Sequence, residues 1–171
     1  MKAKTRLAFL IIVLFQLLIL VGLTGFNEAI LAFGKTVVLQ TVPVDPRDIF
    51  RGDYVVLSYE ISTLRYIPGI RTVQEGYNAS VRLEPRDDVW EAVEIARVPP
   101  DDWDIFITGK ATDVRDNTVR MEYGIEAYFV PEGEGLEIQR ARDIKVYVTL
   151  DSSGKGVIKS LLVDGEPFRL R

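Results

Sequence analysis

Two patterns of apolar and polar positions divide the chain. Residues 7–23, LAFLIIVLFQLLILVGL, carry no charge, and Gln16 is the one polar residue among them. An uncharged, almost wholly apolar run of that length predicts a helix surrounded by apolar material. From Lys35 onward the period changes to two. Tyr54–Ile61 sets Val55, Leu57, Tyr59 and Ile61 against Tyr54, Val56, Ser58 and Glu60, so the first set predicts the buried face of a strand.

Further strands are expected at Thr36–Val42, Tyr77–Leu83, Val89–Val98, Asp104–Thr112, Val119–Tyr123, Ile144–Leu150, Gly156–Val163 and Pro167–Leu170. Turn-forming residues separate them at Asp45–Asp48, Glu84–Asp88, Pro99–Asp102, Asn117-Thr118 and Asp151–Gly154. Asp164-Gly165 is the strongest two-residue hairpin signal. Glu134–Arg142 is the one internal stretch of helical character. With no internal repeat and closely spaced strands, the expected fold is mainly β. It is a single antiparallel β-sandwich or partly open barrel with one short helix, preceded by an N-terminal transmembrane helix.

Thr24, Gly25 and Phe26 lengthen the apolar run to about 20 residues, roughly the 30 Å of a bilayer's hydrocarbon core. Lys2, Lys4 and Arg6 precede it with no acid among them, which by the positive-inside rule leaves the N-terminus in the cytoplasm. The expected organisation is a basic tip at 1–6, an anchor in the lipid bilayer at 7–26, a helical connector at 27–35 ended by Gly34, and an extracytoplasmic domain at 36–171. A cleaved signal peptide has the same basic start. Its cleavage site is poorly matched by Gly22-Leu23-Thr24 or Leu23-Thr24-Gly25, so the anchor reading is preferred. Both readings export the domain.

Charge and missing residue types narrow the chemistry. Of 21 basic and 25 acidic residues, all but Lys2, Lys4, Arg6 and Glu28 lie from Lys35 onward, which leaves that part at −6. An acidic domain repels phosphate backbones, so nucleic acid is not an expected partner, and an anionic lipid surface repels it too. The chain has no cysteine and no histidine, which removes disulfides, thiol chemistry, the commonest general base and the usual zinc ligand. No cofactor is expected.

The most distinctive segment is Phe50-Arg51-Gly52-Asp53-Tyr54-Val55-Val56-Leu57-Ser58-Tyr59, in which Gly52, Asp53, Tyr54, Leu57 and Tyr59 spell G-D-Y-x-x-L-x-Y. It resembles the GDYXXLXY-domain family of bacterial membrane-anchored proteins. Thr41–Asp48, Tyr123–Gly133 and Leu162–Gly165 have the look of the same family, so the resemblance covers roughly 36–166. It implies a single-anchor protein, in some members fused to or encoded beside multi-pass membrane proteins, and brings no catalytic residue with it. Read physically, Gly52-Asp53 is a tight turn feeding a core strand.

Arg51-Gly52-Asp53 also spells an adhesion tripeptide, for which chance is the simpler account. Gly52-Asp53-Tyr54-Val55 is similar to the strand entry of signal-peptidase-like serine proteases. The position of their nucleophile falls here on Pro43, and no motif supports Lys35, Lys110, Lys145, Lys155 or Lys159 as the base. Carboxylate pairs for glycoside hydrolysis and an Asp101–Asp104 calcium loop have no supporting spacing. The preferred expectation is a non-enzymatic binding or assembly module docking with a multi-pass membrane protein. An envelope hydrolase or transferase using carboxylates or a Ser/Lys pair, and a small-ligand-binding domain, stay open beside it. Candidate ligand or partner residues are Asp45, Arg51, Asp53, Tyr54, Glu126 and Tyr128, with no metal site.

Overall fold

Helix α1 runs unbroken from Lys2 to Phe33 in the computed structural model, which describes residues 2–42, 54–130, 138 and 141–168. Its 32 residues make a rod of about 48 Å. The apolar side chains Phe9, Leu10, Ile11, Ile12, Leu14 and Phe15 are exposed, and the helix is long and apolar enough to cross a membrane. The helix lies close to β10 (Ile144–Leu150) and β11 (Gly156–Val163), and Ile30 near its end is buried.

Gly34 terminates the helix, its N–H donating to the Ile30 carbonyl at 2.8 Å, and β1 (Lys35–Val42) starts at the next residue. A Cβ at Gly34 would lie 2.5 Å from the Leu150 carbonyl oxygen and 2.6 Å from Thr149 Cγ2. The close approach of helix end and sheet therefore needs a residue without a side chain.

The remaining strands are β2 (Tyr54–Val56), β3 (Ser58–Tyr59), β4 (Thr63–Arg65), β5 (Asn78–Arg86), β6 (Val89–Ala96), β7 (Phe106–Arg115), β8 (Thr118–Glu122), β9 (Ala127–Phe129) and β12 (Glu166–Pro167). One five-stranded sheet has the order β12-β11-β10-β1-β3, a second β4-β8-β7-β5-β6, and β2 pairs with β9 alone. All pairings are antiparallel. Because β1 also packs against β6, the sheets curl round one core into a nearly closed barrel. Val37, Leu39, Val81, Ile95, Ile107, Val146 and Val148 are wholly buried in it. Each contributes about 1.5–3 kcal/mol by leaving water. Exposed ion pairs such as Arg82–Glu84 contribute about 1 kcal/mol or less, so the barrel is held by its interior.

The mainly antiparallel β fold matches the sequence pattern, with local differences. The expected single strand Tyr54–Ile61 is broken into β2, β3 and a 3-10 turn at Glu60–Ser62. Its alternation survives, since Val55, Leu57, Tyr59 and Ile61 are all buried. Glu84–Asp88 is not one long turn: β5 continues through Pro85 to Arg86 and only Asp87-Asp88 turn. The Leu83 N–H donates to the Ile105 carbonyl, so the Pro85 nitrogen, two residues on, faces the same side, beyond the end of β7 where no ladder bond is lost.

The turn expected at Asn117-Thr118 sits one residue earlier, at Asp116-Asn117. Asp164 and Gly165 have φ of 49° and 86°, the two left-handed residues of a type I′ hairpin. The turn expected at Asp45–Asp48 lies outside the described residues. So does most of the expected helix Glu134–Arg142, of which Ile138 is helical and buried.

Substituting Gly34→Ala is expected to destabilise the full chain by about 1–3 kcal/mol, an overpacking cost. Gly22→Ala, where an added Cβ meets nothing within 4 Å, is the control expected to show no loss. Thermal unfolding of both variants in detergent checks this.

Candidate functional site

The segment bearing the G-D-Y-x-x-L-x-Y string is stitched to a second segment some 70 residues on. Strand β2 pairs with β9 in the register Tyr54↔Phe129, Val55↔Tyr128 and Val56↔Ala127. The Leu57 N–H then donates to the Glu126 carbonyl at 2.7 Å. At that point the chain changes neighbours, and β3 pairs with β1 through Ser58↔Val42 and Tyr59↔Thr41. One short stretch thus turns a corner between β9 and β1, which is why it cannot be a single straight strand.

Two buried phenols fix the corner. Tyr59 Oη donates to the Ile125 carbonyl at 2.6 Å, and Tyr123 Oη donates to the Ile61 carbonyl at 2.7 Å. Each hydroxyl therefore satisfies the backbone two residues beyond the other's ring. Burial raises the pKa of both phenols well above the usual tyrosine value, and the Glu126 charge adds to the shift.

Glu126 is already occupied by the fold. Its two carboxylate oxygens accept the N–H groups of Tyr123 at 2.6 Å and Gly124 at 2.8 Å, closing the turn before β9. Tyr128 is half-buried, with its ring edge-on to Phe168 at 6.5 Å between centroids, and burial raises its pKa. Tyr54 has Phe129, not Tyr128, as its register partner, so the two tyrosines do not occupy facing positions. Asp45, Arg51 and Asp53 lie outside the described residues.

The family described as GDYXXLXY protein matches residues 16–161. The chain belongs to this family. No curated protein and no solved structure matched it. In this GDYXXLXY chain the second half of the signature builds the core: Leu57 is 3% exposed and Tyr59 1%. The same holds for Tyr123 and Ile125 in the family-like segment Tyr123–Gly133. Tyr59 was legible as an inward-facing residue from the alternation, but its bonding to the Tyr123 segment was not.

Other chemistry-bearing groups are engaged in surface pairs. Lys145 lies 2.5 Å from Asp88 and 3.7 Å from Asp143, and the Asp88 hydrogen bond raises its pKa. A lysine base needs the opposite shift. Lys35 pairs with Asp104. Among the described residues no group of three or more acidic side chains is placed to hold a metal ion.

A groove of about 570 Å³ lies where helix and domain meet, lined by Ala29, Ile30 and Phe33 on one side and Trp103, Ile105 and Phe106 on the other. Trp103 is buried and Phe33 is 89% exposed. The sequence gave no sign that Trp103 and the end of α1 would line one groove, because they lie about 70 positions apart.

Tyr59→Phe and Tyr123→Phe are each expected to cost about 1–2 kcal/mol by leaving a buried carbonyl without its donor. The double variant should depart from additivity by about 0.5 kcal/mol or more, because the two hydroxyls share one network. Urea unfolding of the four proteins measures it. The phenols stay neutral in the fold and ionise near pH 10 in the unfolded chain, so their contribution is complete below about pH 10 and is lost as pH rises above it. Stability is expected to fall by up to about 1.4 kcal/mol per pH unit per phenol there. The decline should be shallower in the double Phe variant.

Proposed function

We propose that this GDYXXLXY protein is a membrane-anchored module that holds an acidic β domain outside the cytoplasm and docks it onto a membrane-protein partner. The observation that carries this reading is the joint at Gly34. A helix apolar and long enough to span a bilayer passes into the interior strand β1 with no linker, so the domain sits at a fixed height and angle on its anchor. A tether meant only to retain a freely diffusing domain has no need of such a joint. The basic residues before the apolar run support an outward-facing domain. Glu126, Tyr59 and Tyr123 at the corner are all engaged in backbone bonds, so none of the three is offered as a catalytic group.

The lack of cysteine allows a clean test. Val98 is 75% exposed, and Val98→Cys supplies a single thiol. In intact cells it is expected to react with a membrane-impermeant maleimide, with the chain at full length. Labelling only after lysis would refute an extracytoplasmic domain. Mild cross-linking in the same cells is expected to trap a multi-pass protein, and recovery of the chain uncross-linked at every reagent concentration counts against docking.

A further inference from the structure

Gln16 is the one polar side chain in the apolar run, and its depth is telling. With residues 7–26 spanning the hydrocarbon, Gln16 lies within about 1 Å of the midplane and about 15 Å from either interface. That distance is beyond the reach of its side chain. It is exposed on the helix surface. In lipid such an amide finds no water, and leaving its donors and acceptor unpaired is costly. The run offers no other polar group from residue 7 to residue 23 to bond it.

Building on the membrane-anchored reading above, we propose that α1 associates in the bilayer with α1 of a second copy of this chain, through a reciprocal Gln16–Gln16 hydrogen-bonded pair. Charge complementarity selects this occupant. The carboxamide carries a partly negative oxygen and a partly positive NH₂, so it is the complement of its own copy. Two copies inserted in the same orientation by the same basic tip bring Gln16 to the same depth, and a two-fold axis through that level satisfies both amides at once.

A different protein's helix would have to supply a polar group at that one level. The face around Gln16 carries Phe9, Ile12, Val13, Ile19 and Leu20, bulky residues that keep the helix axes apart. Glutamine's long side chain suits a contact across such a gap.

The test uses the full chain with Val98→Cys labelled by donor or acceptor dye and reconstituted into phosphatidylcholine vesicles. Energy transfer that depends on protein-to-lipid ratio is expected with Gln16 present. Gln16→Leu keeps the helix apolar and is expected to weaken association on the order of tenfold. Gln16→Asn should retain part of it. Unchanged circular dichroism in Gln16→Leu confirms that the domain stays folded.

With Gln16 kept in place, oxidative cross-linking is expected through Ile12→Cys, Val13→Cys, Ile19→Cys or Leu20→Cys. It is not expected through Leu14→Cys or Leu18→Cys on the opposite face. No energy transfer with Gln16 present, or transfer equal in Gln16→Leu, overturns the proposal. These outcomes leave the maleimide result untouched: a chain inserted with its domain outside but monomeric refutes the pairing alone, and a cleaved chain in cells refutes the anchor.

Discussion

Two phenol hydroxyls crossing between Tyr59 and Tyr123 hold the corner on which the barrel turns. The chain leaves β9, bends at Leu57 and joins β1 within a few residues. A bend inside the core takes backbone carbonyls out of the regular ladder. Those of Ile61 and Ile125 need donors that solvent cannot deliver at such depth, and a tyrosine reaching from the opposite segment provides each one. The arrangement joins positions 66 and 62 residues apart in sequence, which makes the two segments one unit of structure.

What could be seen in the sequence follows from range. The alternation of Val55, Leu57, Tyr59 and Ile61 is local, and the buried face it implied is present in full. The Asp164-Gly165 turn is equally local and equally legible. Strands β4 and β9 are three residues long, too short to display a period, and arose only as partners of β8 and β2. The bonding of Tyr59 to Ile125 depends on three-dimensional proximity, and no spacing rule announces it.

Of the candidate site residues, Glu126 turned out to be a turn-closing carboxylate and Tyr128 a half-buried strand residue packed on Phe168. Acid in a loop after Tyr-Gly is compatible with either a ligand site or a backbone cap, and only the positions of the Tyr123 and Gly124 amides distinguish the two. Gln16 shows the reverse case. Its oddity was plain in the sequence, while its exposure became evident only with the helix drawn in full.

The junction at Gly34 has a mechanical corollary. β1 is paired with β10 from Lys35 to Gln40 and with β3 at Thr41 and Val42, so it is held in the sheet along its whole length. A rod running straight into a strand held along its whole length behaves as a lever. Any tilt or rotation imposed on the rod is delivered to the sheet as torque, without slack to absorb it. The direction of the rod thereby sets the attitude of the whole barrel.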